Sequence, residues 1–248
     1  MKKEMLYLKD SAAKMGIELS DLQLEKFDTY YEMLVEKNKV MNLTAITELE
    51  EVVQKHFLDS ISLIKVEKLN QDISIIDLGT GAGFPGIPLK IAFPELEICL
   101  ADSLNKRVLF LNEVIEELEL KKISAVHGRA EELARQKGYR EQFDLCVSRA
   151  VANLSTLSEY CLPFVKVGGK FISYKANEVE EETKQAEHAL EVLGGACVDI
   201  QKFQLPDSEM NRAMLAEMLG KEYEILEAVN GEEAIAMLHQ YEGGISLI

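Results

Sequence analysis

The sequence predicts an α/β fold: a mostly parallel sheet with helices on both faces, preceded by a helical N-terminal region. Two observations lead to this prediction. From residue 73 onward, short apolar runs alternate with longer segments of helical periodicity, and the first run leads directly into a glycine-rich loop. Before residue 69, apolar residues recur instead at helical spacing without such runs.

The N-terminal region contains two apolar helix faces. Leu24, Phe27, Tyr31 and Leu34 fall on one face at helical spacing, and a second face runs through residues 51–64. We therefore expect at least two helices that pack their apolar sides against the rest of the chain.

The remainder is predicted to contain six strands separated by five helices. The strands are expected at residues 73–77, 97–102, 124–127, 143–148, 169–174 and 196–203. The helices are expected at residues 85–93, 104–119, 129–137, 153–165 and 177–193. In such sheets ligands bind beyond the carboxyl ends of the strands, near the point where the strand order reverses.

The most informative segment is 77–88, which reads Asp-Leu-Gly-Thr-Gly-Ala-Gly-Phe-Pro-Gly-Ile-Pro. Gly79, Gly81 and Gly83 alternate, so the backbone can approach a ligand without Cβ atoms in the way. The following helix would direct its unpaired N–H groups at that ligand. Asp77, at the strand end, suits a cofactor that carries a cationic or amino-acid part beside a nucleoside.

Two cofactors compete for this loop. Gly81, Gly83 and Gly86 satisfy the dinucleotide spacing, and Asp102 follows at a suitable distance for a ribose-binding acid. However, the two prolines of the loop remove N–H groups that a pyrophosphate needs, and Asp77 adds negative charge nearby. The pattern D-x-G-x-G-x-G is typical of S-adenosylmethionine methyltransferases, which we favour over an NAD-dependent dehydrogenase.

Charged and hydrogen-bonding side chains follow several of the predicted strands. Each could be a solvated loop residue, but together they predict a ligand site beside the glycine loop. They are Asp102, Arg129, Ala130, Glu131, Ser148, Arg149, Ala150, Tyr174 and Lys175.

Residues 1–205 resemble the ribosomal RNA small-subunit methyltransferase G family, also called glucose-inhibited division protein B. The matching motifs lie at residues 42–44, 56–60, 77–88, 102–107, 129–131 and 148–150 and at Lys175. The resemblance implies a Rossmann-like, S-adenosylmethionine-dependent methyltransferase sheet. It also implies methyl transfer to N7 of a guanine in 16S rRNA, with that RNA or a small ribosomal subunit precursor as partner.

The residue patterns and the resemblance together give a set of expected site residues. Cofactor binding is expected at Asp77, Gly79, Gly81, Phe84, Asp102, Ala130, Glu131 and Arg149. RNA binding is expected at Arg129, Lys175 and Arg212. No residue is assigned firmly to catalysis, although Arg149 and Lys175 are candidates, because guanine N7 needs no general base. His56 and Asp59 are expected to stabilise the domain junction.

After Pro206 the chain departs from the family pattern. Residues 207–248 resemble part of a two-component receiver domain without its phospho-acceptor aspartate, and they predict an αβαβ segment that begins with a helix at 207–220. We therefore expect a helical region at 1–68, a methyltransferase domain at 69–206 and a receiver-like fragment at 207–248. The family's last strand would be missing, with residues 223–229 as a candidate replacement.

Composition limits the remaining alternatives. The net charge of −16 argues mildly against a general nucleic-acid binder, and the chain has neither a membrane-length apolar run nor a signal peptide. Cys99, Cys146, Cys161 and Cys197 are widely spaced, which indicates buried thiols rather than a metal site. We expect a cytoplasmic, monomeric enzyme without a metal ion. A cofactor-binding but inactive fusion or interaction protein, and a small-molecule methyltransferase, stay open.

Overall fold

The structure is a computed structural model that describes residues 1–69, 73–149, 152–175, 179–206 and 211–219. Within these ranges no helix combines the length and the apolar character that a membrane crossing requires. Helices occupy the chain up to residue 65, and the first strand begins at residue 74.

Two helices open the chain, α1 (Lys3–Lys14) and α2 (Asp21–Met41). The second begins with a capping box in which Ser20 and Gln23 satisfy each other's backbone N–H groups. On α2 the aromatic residues Phe27 and Tyr30 are both fully buried, whereas Tyr31 is only half-buried. Leu24, Phe27 and Leu34 of the predicted face lie in the core and Tyr31 packs against it. Tyr30 belongs to the same face, because residues three and four positions after Phe27 both lie on its side of the helix.

A continuous helical segment then leads to the sheet. It consists of α3 (Leu49–Val52), a π-helical turn (Val53–Leu58), α4 (Asp59–Ile61) and a 3₁₀ turn (Ser62–Lys65). Wide π-helical turns are frequent at functional sites because they change the direction of the side chains that they carry.

Within the described ranges, seven strands form one sheet in the order β3-β2-β1-β4-β5-β7-β6. The strands are β1 (Ser74–Leu78), β2 (Glu97–Asp102), β3 (Ile123–His127), β4 (Phe143–Ser148), β5 (Val165–Lys175), β6 (Gly195–Gln204) and β7 (Asn211–Leu219). The first five are parallel, and β7 is antiparallel to both of its neighbours. The predicted α/β class and the mostly parallel sheet are confirmed.

Helices cover both faces of the sheet. The remaining ones are α5 (Gly86–Ala92), α6 (Asn105–Glu117), α7 (Ala130–Leu133), α8 (Leu154–Cys161) and α9 (Glu180–Leu193). The N-terminal helices, α5 and α6 share one apolar core with alternate strand residues such as Ile75 and Val147. On the opposite face α8 and α9 pack on Ile76 and Cys146. Because successive side chains of a strand point to opposite faces of the sheet, the core is divided into one cluster on each face.

The C-terminal prediction needs a correction. Residues 211–219, expected to lie in a helix, form β7 and occupy the position between β5 and β6. The sheet therefore does not lack this strand, and residues 223–229 are not needed to fill the position; they lie outside the described residues. Consecutive residues of β7 are apolar because the strand is covered on both faces of the sheet. A continuous apolar run of this kind cannot be distinguished from a buried helix by its sequence pattern alone.

Three of the four cysteines are buried and the fourth, Cys197, is half-buried, with none in a disulfide. The prediction of buried thiols is confirmed for Cys99, Cys146 and Cys161. Burial raises the pKa of Cys99 to about 11, so this thiol stays protonated at neutral pH.

Candidate functional site

The loop after β1 is a tight backbone turn that only glycines allow. Gly79, Gly81 and Gly83 adopt φ values of 72°, 63° and 109°, which L side chains rarely adopt. The N–H groups of Gly83 and Phe84 donate to the carbonyl of Thr80 at 2.9 and 3.0 Å. The loop is thus closed on itself before α5 begins.

Asp77 lies beneath this loop and binds both of its ends. Its Oδ2 accepts hydrogen bonds from Thr80 Oγ1 at 2.6 Å and from the Gly86 N–H at 2.7 Å. The carboxyl is fully buried, and burial raises its pKa to about 7. Asp77 therefore connects the end of β1 to the start of α5.

These contacts correct the expectation that the helix after the loop offers unpaired N–H groups to a ligand. The N–H of Gly86 is bound to Asp77, and that of Ile87 donates to the Gly83 carbonyl at 2.7 Å. The Gly81 N–H donates to Asp102 Oδ2 at 2.9 Å. A pyrophosphate would have to displace internal hydrogen bonds, which argues against the dinucleotide alternative.

Asp102 ends β2 and faces the glycine loop. Besides Gly81, it accepts the Leu104 N–H on Oδ1 at 2.9 Å and lies 3.3 Å from Nη1 of Arg107. These contacts orient the carboxylate at the strand end, the position that a ribose-binding acid occupies in sheets of this class.

Tyr30 connects the N-terminal helices to the loop. Its hydroxyl donates to the Ala82 carbonyl at 2.7 Å, and its ring packs 5.6 Å from Phe84. A Cβ added at Gly83 would come within 2.8 Å of the same hydroxyl. Residue patterns did not predict this role, since a buried tyrosine at helical spacing is indistinguishable from an ordinary core residue.

The residues around the loop fit a cofactor with a nucleoside and an amino-acid part. An added Cβ at Gly81 would meet only the Gly79 carbonyl oxygen, at 4.0 Å, so one backbone face of the loop is open. Asp77 Oδ1 is buried and has no hydrogen-bond partner among the described residues. The open backbone beside the Asp102 carboxylate suits S-adenosylmethionine, which carries a ribose, while Asp77 shapes the loop from beneath.

A second set of polar side chains lies next to the loop, at the junction with the N-terminal helices. The fully buried Asp59 accepts hydrogen bonds from Nη1 of Arg149 at 2.8 Å and from Nη2 of Arg212 at 2.9 Å, and it also binds Nε of Arg212. The expectation that Asp59 stabilises the junction is confirmed by these contacts across 90 and 153 residues of sequence.

His56 belongs to the same cluster, as expected, and is neutral. Arg149 Nη2 lies 3.0 Å from its Nδ1, and Thr44 Oγ1 lies 2.9 Å from its Nε2. Because a guanidinium can only donate, Nδ1 accepts and Nε2–H donates to Thr44. Burial and the Arg149 charge lower the pKa of His56 to about 3. Both ring nitrogens are therefore occupied.

The cluster borders a cleft of about 250 Å³. The lining side chains are Ile46, Lys55, His56, Arg149, Tyr174 and Arg212. Phe84 of the glycine loop stacks on His56 with ring centroids 4.4 Å apart. The Arg149 guanidinium lies 5.2 Å from the centre of the Phe84 ring. The glycine loop and the cationic cleft are therefore adjacent.

The other predicted site residues lie at the same edge of the sheet. Arg129 is exposed and precedes α7, which begins with Ala130 and the exposed Glu131. Lys175 ends β5, where its Nζ donates to the Ala152 carbonyl at 2.7 Å and to Glu182 at 2.6 Å. Over the described ranges, no three His, Cys, Asp or Glu side chains are grouped so as to hold a metal ion.

The comparisons with known proteins agree with this geometry. The sequence model described as GidB, rRNA small subunit methyltransferase G, matches residues 23–211. The chain is 59% identical over 201 residues to the ribosomal RNA small subunit methyltransferase G of Lachnoclostridium phytofermentans, covering 81% of this chain and 83% of that one. It is 53% identical to the protein of the same name from Acetivibrio thermocellus, covering 83% and 84%.

Two solved structures share the fold. TYW2 of M. jannaschii in complex with AdoMet aligns with a TM-score of 0.53 at 12% identity, covering 70% of this chain and 77% of that one. A SAM-dependent methyltransferase from Aquifex aeolicus aligns with a TM-score of 0.51 at 15% identity, covering 68% and 93%. At these identities the likeness concerns the fold alone.

Proposed function

The chain belongs to the rRNA small subunit methyltransferase G family, and on that premise we propose that it transfers a methyl group from S-adenosylmethionine to N7 of a guanine in 16S rRNA. The observation that carries this proposal is the contact between the two halves of the site. Phe84 belongs to the cofactor loop and also packs against His56 and Arg149 of the cationic cleft.

The reaction demands little acid–base chemistry from the protein. Guanine N7 has an in-plane lone pair and carries no proton, so no general base is required. S-adenosylmethionine, when bound, supplies a methyl group activated by the positive charge on sulfur. The His56 imidazole, with both nitrogens occupied, is in keeping with a site that positions its substrate rather than removing a proton from it.

Positioning is then the main contribution of the chain's own residues. We assign the cofactor to the loop with Asp77, Gly79, Gly81 and Phe84. The carboxylates have different roles: Asp102 faces the ligand side of the loop, whereas Asp77 shapes it from beneath through Thr80 and Gly86.

The adenine border is assigned to the start of α7, at Ala130 and Glu131. RNA contacts are assigned to Arg129 and Arg212. Arg149, expected at the cofactor, lies between the loop and these residues, since its guanidinium packs on Phe84 and shares Asp59 with Arg212. Lys175 is retained in this set, although it would have to leave Glu182 to reach RNA. The described part of β7 brings Arg212 into the cleft, because an antiparallel strand begins at the edge where the parallel strands end.

The proposed partner is 16S rRNA within the small ribosomal subunit or its precursor. We propose that the chain acts there as a monomer in the cytoplasm, without a metal ion. The division into a helical region at 1–68, a methyltransferase domain at 69–206 and a C-terminal segment at 207–248 is part of the same proposal.

Two paired measurements test the function. Calorimetry measures S-adenosylmethionine binding, with NADH as the competing nucleotide, and tritium-methyl transfer is measured on small subunits that lack the modification. We expect binding that NADH does not displace, together with transfer into 16S rRNA. Binding without transfer would select the inactive-fusion alternative, and displacement by NADH would restore the dehydrogenase alternative.

A further inference from the structure

Asp59 binds two arginines with one carboxylate. One fully buried carboxylate binds Arg149 on Oδ2 and Arg212 on both oxygens, so the two guanidinium groups are brought side by side at the cleft. The π-helical turn that ends at Leu58 directs Asp59 toward the sheet, and the start of β7 supplies Arg212.

Further contacts immobilise both arginines. Arg149 Nη2 donates to His56 Nδ1 at 3.0 Å, and its guanidinium lies over the Phe84 ring. Arg212 Nη1 lies 3.4 Å from the Lys175 carbonyl oxygen. The side chains of Arg149 and Arg212 are 16% and 19% exposed, so each is largely buried but still reaches the wall of the cleft. Ordering these groups in advance removes an entropic cost from ligand binding.

The charge of the cluster favours an anion. Two guanidinium groups and one carboxylate leave one net positive charge, since His56 is neutral. Lys55 also lines the cleft and is paired with Glu51. Arginine presents its N–H groups in a planar fork that matches the oxygens of phosphate and carboxylate groups.

The chemistry of N7 methylation argues that this anion is not the guanine edge itself. A guanidinium that donates to N7 would occupy the lone pair that receives the methyl group. A guanidinium on O6 would oppose the positive charge that the guanine ring gains, and a site is expected to stabilise developing charge rather than oppose it. The two arginines are therefore better suited to a phosphate of the RNA chain.

We propose that Asp59 is a positioning residue that holds Arg149 and Arg212 together as a subsite for one phosphate group of the RNA substrate. This inference rests on the proposed function, which supplies RNA as the ligand. The carboxylate of the cofactor's amino-acid part is a second oxyanion of similar chemistry, and the experiment has to separate the two sources.

The test uses the full chain and small ribosomal subunits that lack the modification. Subunit binding is measured over a range of salt concentrations for the unaltered chain, Arg212→Ala and Arg140→Ala. Arg140 pairs with Glu141 at 3.7 Å and precedes β4, at the opposite edge of the sheet, and serves as the matched control. Arg212→Ala should reduce the slope of log K against log salt by about 1, because one phosphate contact is lost. Arg140→Ala should leave the slope unchanged.

Asp59→Asn tests the positioning role. This variant keeps both guanidinium charges, so the salt slope should not fall. The KM for subunits should rise by about tenfold, since the Arg149 and Arg212 guanidinium groups are no longer held side by side. The kcat should stay within about twofold. Calorimetric titration with S-adenosylmethionine reports whether each variant is folded and whether the cofactor uses this pair. We expect the cofactor affinity of Arg212→Ala to match that of the unaltered chain.

An unchanged salt slope in Arg212→Ala would overturn the proposal. So would a loss of cofactor affinity with the slope intact, which would assign the arginines to the cofactor carboxylate. An unchanged KM in Asp59→Asn would contradict its positioning role; if this variant does not fold, the Arg212→Ala slope still decides about the phosphate. Subunit binding with the expected slopes but no methyl transfer by the unaltered chain would contradict the proposed function and leave the subsite supported.

Discussion

Asp77 and Gly86 are joined by a hydrogen bond of 2.7 Å from the Gly86 backbone N–H to the buried Asp77 carboxylate. This bond closes the turn from β1 into α5, and the three glycines in between follow a path that few side chains allow. The cofactor loop is therefore shaped from beneath, by a carboxylate that the ligand side does not present.

Substitution of Gly86 by Ala should damage this turn. The added Cβ would overlap the Leu100 side chain and come within 2.9 Å of Asp77 Oδ2. We expect a loss of about 1–3 kcal/mol in the free energy of unfolding, together with weaker cofactor binding. Urea unfolding and calorimetry measure the two effects. Gly138→Ala is the control, since its Cβ would meet nothing within 4 Å. Equal stability of the two variants would contradict this account of the turn.

Tyr30→Phe should weaken cofactor binding through the loop alone. The change removes the hydrogen bond to the Ala82 carbonyl and leaves that carbonyl buried, at a cost of about 1–3 kcal/mol. Tyr31→Phe is a matched control, because it removes a 3.0 Å bond to the Thr47 carbonyl, away from the loop. Calorimetric titrations should show reduced affinity for the first variant and unchanged affinity for the second. Similar affinities for both would show that Tyr30 does not support the loop.

Stability should decrease as the pH rises from about 4.5 to about 7. Glu217 on β7 is fully buried; Ser158 Oγ donates to its Oε2 at 2.8 Å, while Oε1 has no partner among the described residues. Burial raises its pKa from 4.5 to about 7, opposed by the Ser158 hydrogen bond and the Lys175 charge. The folded state thus binds the proton more tightly than the unfolded state. Protonation favours folding below the unfolded pKa, and this contribution is lost as the pH rises through the folded pKa.

Glu217→Gln tests this pH dependence. At pH 8 the variant should be more stable than the unaltered chain by up to roughly 3 kcal/mol, and at pH 4.5 the difference should largely disappear. Glu159→Gln, on the exposed side of α8 beside Ser158, is the control. Asp77 shifts in the same direction, so some pH dependence should persist in the variant. Urea unfolding that shows no gain at pH 8 would contradict the assignment.

Removal of β7 should disrupt the sheet. A chain that ends at residue 206 lacks the strand between β5 and β6, and with it Ala213, Met214 and Leu215 of the two cores. We expect this chain to associate or aggregate because strand edges and apolar faces are left open. A chain that ends at residue 219 keeps all seven strands and is the comparison. Size-exclusion chromatography distinguishes them, and a monodisperse shorter chain with intact cofactor affinity would refute the expectation.

The sequence was informative where local pattern and tertiary structure agree. The apolar runs before Asp77 and Asp102 predicted β1 and β2 to within one residue, because both strands are buried on both faces and carry an aspartate as their last or penultimate residue. The sequence also predicted the position of the glycine loop, since the backbone conformation of that loop requires Gly79, Gly81 and Gly83.

The same reasoning failed for β7. Ala, Met, Leu and Glu favour a helix, but pairing with two neighbouring strands outweighs that preference. Nor does any local pattern bring Asp59 to Arg149 and Arg212. These contacts depend on the π-helical turn before Asp59 and on the direction of β7, which was predicted as a helix.

The central claim is methyl transfer to guanine N7, and the most direct measurement is mass spectrometric mapping of 16S rRNA from cells in which this chain is the sole enzyme of its family. The account predicts 7-methylguanine in the 16S rRNA, present with the chain and absent without it. RNA without 7-methylguanine, from cells whose purified chain still binds S-adenosylmethionine, would contradict the account.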